Sequence, residues 1–211
     1  MKVWILIFVC MFAMPLLVAI LHFRMRKGQI LKIRQDYVKN ARYFGQSFSS
    51  LVEKALPEMK NGMIMLSRQE KVLETDGNQE FVQPDIEDLV IARNTIFCPQ
   101  QEDLHFQKEI YSEKDALFVK ENIRLRAVYS KKRLLFGNKI RLLRWADAEH
   151  AVAVYDECDL GERVSSGEQL VIGFDNIFHS LYAPVIRLGQ RPEELDRFME
   201  ERDPRIFRMP V

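Results

Sequence analysis

IYSEKDALFVKENIRLRA followed by VYSKKRLLFGNKIRLLRW, residues 110–145, reads as two variants of one eighteen-residue unit. The same period extends in both directions. Stepping by six from Ala92 gives Cys98, Leu104, Ile110, Ala116, Asn122, Val128, Leu134, Ile140, Ala146, Val152, Cys158, Val164, Leu170, Asn176, Tyr182 and Leu188. Only the two asparagines interrupt an apolar row. A period of six fits neither a helix, at about 3.6 residues per turn, nor a flat strand, at about two. It fits a single-stranded parallel β-helix, a solenoid with three short strands per coil, in which each face stacks on the next coil.

The columns implied by an eighteen-residue coil are chemically coherent. One face carries Ile110, Val128, Ala146, Val164 and Tyr182, and another Ala116, Leu134, Val152, Leu170 and Leu188, with Ile140 on the third. A second inward position, two residues on, gives Phe118, Phe136, Val154 and Ile172. These residues form the expected core. Asn122 and Asn176 fall on inward positions, where an asparagine satisfies itself through backbone hydrogen bonds at a bend.

Charge supplies a second test, because in-register parallel strands set residue i beside residue i+18. Glu113 falls under Lys131 and Lys131 under Glu149; Glu121 under Lys139 and Lys139 under Glu157; Asp115 under Arg133, Arg141 under Asp159 and Arg144 under Glu162. Opposite signs meet in each of these pairs. Each exposed pair contributes about 0–1 kcal/mol, so the ladder sets register more than stability. Stability is expected from the core columns, at roughly 1.5–3 kcal/mol per fully buried side chain.

Before the repeat, residues 3–21 carry no charge, and about twenty such residues span a hydrocarbon core of about 30 Å. The sequence predicts a transmembrane anchor over residues 1–23. A cleaved signal peptide is the rival, but the apolar run exceeds an h-region and no small-x-small site precedes the charges. Arg24, Arg26, Lys27, Lys32 and Arg34 follow the span, against Lys2 before it, so the positive-inside rule predicts a single-pass inner-membrane protein with a cytoplasmic carboxy-terminal domain. The basic run is expected to lie on anionic lipid.

Residues 24–85 read as a juxtamembrane linker. Phe48, Leu51, Val52, Ala55, Leu56 and Met59 recur at helical spacing, with Ser47 as a cap and Pro57 and Gly62 at the end. This amphipathic helix is expected to pack over the open amino-terminal end of the solenoid. Residues 63–66 read as a strand and 76–78 as a turn, and Leu89, Val90 and Ile91 lead into a β-helix domain at 86–190. A tail, 191–211, holds a short charged helix at 193–201 and an apolar end, Ile206, Phe207, Met209 and Val211.

Composition narrows function. The 211 residues are 47% apolar and 29% charged with a net charge of +1, which gives no global argument for nucleic acid. The three cysteines have no paired spacing; Cys98 and Cys158 read as buried small hydrophobes of a reducing compartment. His105, His150 and His179 fall at different offsets of the six-residue frame, unlike converging metal ligands. No nucleophile elbow or phosphate-binding glycine loop is present in the sequence, and no cofactor, metal or catalytic residue is expected. Ser165-Ser166-Gly167 reads as a coil corner, and Trp145 as an edge aromatic covering the core.

Two families build such coils. The left-handed hexapeptide acyltransferases place small residues after the inward aliphatic, where this chain has Tyr111, Leu117, Ile123, Tyr129 and Leu135. Bulky and β-branched residues there disfavour left-handed corners. Residues 92–189 instead resemble the bactofilins, the bacterial polymer-forming cytoskeletal proteins. The resemblance rests on Ile110-Tyr111-Ser112, Val128-Tyr129-Ser130, residues 141–148, and Asp159-Leu160-Gly161 followed by Ser165-Ser166-Gly167. It implies a right-handed β-helix, self-association, frequent membrane attachment and no enzymatic activity. The expected function is therefore a membrane-anchored scaffold that partners itself and an envelope-biogenesis protein. The alternative is a platform or accessory enzyme in envelope polysaccharide assembly, marked by His150 or His179 beside an unpaired carboxylate in a cleft. A further basic surface at Lys131, Lys132 and Arg133 is a candidate for an acidic partner.

Overall fold

The computed structural model describes residues 40–75, 81, 83–93 and 102–190, together with residues 4, 11, 13–15, 17, 18 and 20. The chain divides into two compact units, Met1–Gln35 and Asp36–Val211. In the first, the described residues are helical, and among the described residues no helix is long and apolar enough to cross a membrane. The basic run Arg24 to Arg34, the turn at 76–78, Cys98 and the tail helix lie outside the described residues.

The second unit is mainly β, a parallel solenoid of about six coils and about 18 residues per coil. It opens with a helix, α1 (Tyr43–Ala55), a 3-10 turn (Leu56–Glu58) and an antiparallel hairpin of β1 (Met63–Met65) and β2 (Gln69–Thr75). The coils follow as β3 (Asp85–Ile86), β4 (Leu89–Ala92), β5 (His105–Ser112), β6 (Ala116–Phe118), β7 (Arg124–Ser130), β8 (Leu134–Phe136), β9 (Arg141–Ala148), β10 (Ala151–Val154), β11 (Arg163–Ser166), β12 (Gln169–Ile172), β13 (Leu181–Tyr182) and β14 (Val185–Leu188). One sheet runs β1-β2-β4-β5-β7-β9-β11-β13, with β3 also on β5, and the other runs β6-β8-β10-β12-β14. The third side is marked by the first halves of β5, β7 and β9 and by the single bridges Arg141 to Asp159 and Asp159 to Ile177.

Ile110, Val128, Ala146 and Val164 stand in register, as do Ala116, Leu134, Val152 and Leu170, and as do Phe118, Phe136, Val154 and Ile172. With Ile140, all belong to one buried apolar core. The hydroxyls of Ser112, Ser130 and Ser166 occupy the next corner and donate to backbone carbonyls there, so the bend buries no orphan polar group.

The coil length is not constant, and this corrects part of the frame. Asp103, Asn122, Lys139, Glu157 and Asp175 each adopt positive φ, between 54° and 60°, at the corner before the third side. Asn122 is therefore an exposed corner residue, and Ile123 takes the inward position beside Ile140 and Cys158. The corner comes one residue later in that coil than in the next, and a register shift after Leu125 restores the column at Val128. Asn176 does face the backbone, accepting from the Cys158 amide at 2.8 Å and donating to the Tyr155 carbonyl at 2.7 Å. In the last coil the step shortens again. Leu181, not Tyr182, stands on Val164, and Ile186, not Leu188, stands on Leu170.

The helix is also displaced from expectation. It starts at Tyr43, before Ser47, and lies on the flank rather than over the end. Outward-facing Tyr111, Ala127, Tyr129 and Trp145 form a second core with Val52, Ile64, Val72, Leu89 and Ile91, against which Phe48, Ala55, Leu56, Met59 and Leu66 pack. Tyr111 and Tyr129 stack with ring centroids 5.7 Å apart, and Phe48 meets Trp145 edge-on at 5.6 Å. Trp145 thus seats the helix and does not cover the solenoid core.

Candidate functional site

Three surfaces carry chemistry beyond stacking: the clamp under α1, the groove beside it, and the last coil.

The clamp joins Arg42, just before α1, to Asp147 of β9. The guanidinium donates from Nε to Oδ1 at 2.9 Å and from Nη2 to Oδ2 at 3.0 Å, and also to the Ala148 carbonyl at 3.0 Å. Ser165 donates to Asp147 Oδ1 at 2.6 Å. Asp147 is 1% exposed, and burial pushes its carboxyl above the usual aspartate range against the opposing pull of Arg42 and Ser165. Burial also works against the Arg42 charge, but the hydrogen bond and attraction to Asp147 win, and its pKa rises. Helix and sheet approach closely here because position 45 is glycine; a Cβ there would stand 2.4 Å from Asp147.

Farther along α1, Glu53 accepts from Lys131 at 2.9 Å. That hydrogen bond, opposed by burial, holds the Glu53 carboxyl below its ordinary range. Lys131 therefore points to the helix, while Glu149 accepts from the Tyr129 hydroxyl at 2.6 Å. Of the other expected rungs, Arg133 and Asp115 meet at 3.0 Å and Lys139 and Glu121 at 2.9 Å. Arg141 with Asp159 and Arg144 with Glu162 come into register, but among the described residues they form no ion pair. Glu113 and Glu157 likewise carry no ion pair among the described residues. A seventeen-residue step sets Arg124 directly beside Arg141, a like-charge pair that a constant eighteen conceals.

A groove of about 860 Å³ runs between α1 and the hairpin, with Phe44, Phe48, Leu51, Leu66 and Trp145 on its walls and Arg68, Glu70, Lys108, Glu109 and Arg126 alternating in sign. Most of those charges neutralise one another: Arg68 and Lys108 on Glu70, and Arg126 on Glu109. His150 bonds Glu168 at 2.7 Å with both side chains about half exposed at a corner, and His179 meets the Gly161 carbonyl. Among the described residues no group of three His, Cys, Asp or Glu side chains is placed to hold a metal ion. The Cys158 thiol, 1% exposed, donates to the Gly137 carbonyl, and burial pushes its pKa up to about 12.

The last coil differs from all the others. Ile186 and Leu188 continue the columns of Leu170 and Ile172, which are 0% and 1% exposed, yet are themselves 41% and 55% exposed. Around them Phe174, Ile177, Phe178, Tyr182 and Val185 are also exposed. Between 174 and 189 only Asp175 and Arg187 are charged, in a chain that is 29% charged. Edge strands are ordinarily protected by charge or by a covering segment, because their free amides and carbonyls accept another strand. The periodicity predicted an end but not its exposure; the signal available was the loss of charge after Asp175.

No protein-family model matches the chain, and no curated protein or solved structure matches it significantly.

Proposed function

We propose that the chain is a non-enzymatic, membrane-anchored scaffold of bactofilin type, held on the cytoplasmic face of the inner membrane by residues 1–23, whose right-handed β-helix associates with further copies of itself. The observation that carries this reading is the last coil: among the described residues its inward columns end in exposed apolar side chains, and β13 and β14 have a strand neighbour on one side only. An added coil buries the first and hydrogen-bonds the second, the two terms that hold the existing coils together.

The clamp fixes the residues just before α1 to the flank of the solenoid at β9 and β11. Among the described residues the shifted titrations have structural causes, burial and ion pairing, and Glu70, which lines the groove, is taken up by Arg68 and Lys108. Sedimentation of the full chain in detergent tests the proposal: association is expected at micromolar protein, and a mass of one copy at every concentration overturns it. Protease added outside spheroplasts is expected to leave the solenoid intact; its digestion overturns the assigned topology.

A further inference from the structure

On the third side of the solenoid the charge ladder breaks down. The column there reads Asp85, His105, Arg124, Arg141, Asp159 and Ile177, each in register with the next. His105 and Asp85 hydrogen-bond at 3.0 Å, which leaves two arginines side by side on neighbouring strands. In-register strands lie about 4.8 Å apart, and like charges set opposite one another repel. Both arginines are exposed, and among the described residues neither has an ion pair or a side-chain hydrogen bond. The carboxylate that the ladder assigns to Arg141, that of Asp159, accepts instead from the Gly161 amide at 3.3 Å. Beside the pair, β9 carries an extra residue. Leu125 faces Leu142 and Ala127 faces Trp145, so Arg126 stands opposite both Leu143 and Arg144. A bulge re-aims side chains, and here Leu143 is 65% exposed although Leu125 and Leu142 are buried. Together these residues form the wall of an open cavity of about 560 Å³, built from β5, β7, β9 and Asp159.

Arg126, on the same wall, is taken up by Glu109 at 3.2 Å, so the uncompensated positive charge is that of Arg124 and Arg141. Two guanidinium forks side by side call for one anion that serves both. A carboxylate presents two oxygens, which a single fork fills. A terminal phosphate presents three oxygens and nearly two charges at neutral pH, enough for both forks at once. The pair also repels itself, a cost that a bound dianion removes. Leu143 adjoins the arginines, so whatever the phosphate carries has an apolar surface to lie on. We infer that this cavity binds a phosphate monoester, with Arg124 and Arg141 on the phosphoryl oxygens and Leu143 under the organic part. Asp159 stands on the same wall and opposes the anion, which sets the affinity below what the two arginines alone would give. The site goes beyond the scaffold reading and does not depend on whether copies associate.

Titration calorimetry of the full chain in a non-ionic detergent tests this with inorganic phosphate and butyl phosphate as probes and acetate as the control. Saturable binding of both phosphates is expected, with butyl phosphate tighter by about three-fold or more through its alkyl chain. Arg124→Gln with Arg141→Gln is expected to weaken both by about 10-fold or more. The thermal midpoint of that variant without phosphate should stay level or rise, because a repulsion is gone; a pair with a purely structural role would lower it. Leu143→Ser should abolish the preference for butyl phosphate. Asp159→Asn keeps an acceptor for the Gly161 amide and removes a negative charge, so it should tighten both probes. Phosphatidic acid added to the micelles separates the two sources of such a group: displacement of butyl phosphate assigns a lipid headgroup and its failure a soluble ester, and either result supports the site. Absence of saturable binding, or binding indifferent to the double substitution, overturns the inference. Acetate binding as tightly as phosphate overturns the assignment to a phosphate monoester.

Discussion

At the residue scale, the cost of a substitution follows from which of two positions it occupies, an inward column or a left-handed corner. Leu134 is fully buried between Ala116 and Val152 within the apolar core. Leu134→Asp is expected to cost several kcal/mol and to abolish the cooperative denaturant transition. Lys139 is the opposite case. Its φ of 56° costs a side chain about 1–2 kcal/mol, whereas its pair with Glu121 is exposed and screened by solvent. Lys139→Gly is therefore expected to leave stability unchanged or raise it by up to about 1 kcal/mol, despite losing the ion pair. Lys139→Glu keeps the strain and meets Glu121, so it is expected to be the less stable of the two in urea unfolding. The corners also show where the sequence was misleading. Columns and coil length were legible because apolar side chains repeat, but Asn122 and Ile123 differ by one residue from the frame, and the bulge that restores it has no residue signature. Charge was legible as register and not as pairing: Lys131 lies between Glu113 and Glu149 along the ladder, yet Glu53 is nearer.

At the element scale, α1 was legible as an amphipathic helix, but not its berth. The clue lay in Tyr111 and Tyr129, outward aromatics eighteen apart, which need a cover; periodicity names a face and leaves its occupant open. The clamp turns this into a prediction. Arg42→Met removes the only cation hydrogen-bonded to Asp147 among the described residues, and breaking a buried pair from one side costs about 3–5 kcal/mol. Amide exchange across Tyr43–Ala55 is expected to rise sharply while β8 and β10 stay protected. Arg42→Met with Asp147→Leu is expected to recover most of the loss, since no charge is left buried. Acid acts on the same element through Glu53. Its folded pKa lies below its unfolded value, so its contribution is present above about pH 4.5 and lost as pH falls through the folded value. Asp147 has the reverse sign: its folded pKa is raised, so ionisation in the clamp opposes folding as pH rises from the unfolded value through the folded one. The helix is thus expected to loosen below about pH 4.5 in wild type, and the acid loss should shrink in Glu53→Gln; an unchanged acid midpoint in that variant would refute the role of the Lys131 pair.

At the scale of the whole molecule, a solenoid in which each coil touches only its neighbours has a stability profile along its axis rather than a single value. The amino-terminal coils are held on three counts: Phe81 packed in the core, a sheet extended by two strands, and α1 bound across β7 and β9. Among the described residues the last coil has one neighbour, and its inward Ile186 and Leu188 are exposed. Opening should therefore begin at β14 and proceed inward. Amide exchange of the Ile186→Asp, Leu188→Asp variant is expected to give protection rising in the order β14, β12, β10, β8, strands that lie side by side in one sheet and differ only in distance from the end. In wild type at concentrations where two copies are joined, β14 acquires a second neighbour, and its protection should rise toward that of β12 and fall again on dilution. The first sheet makes the comparison within the same molecule, because β13 should follow β14 while β5 and β7, under the helix, respond to neither dilution nor the substitutions. A flat profile in the variant would mean that the coils unfold as one block. Association would then be unable to act through the last coil alone, since no free energy of local opening would remain there for a partner to shift.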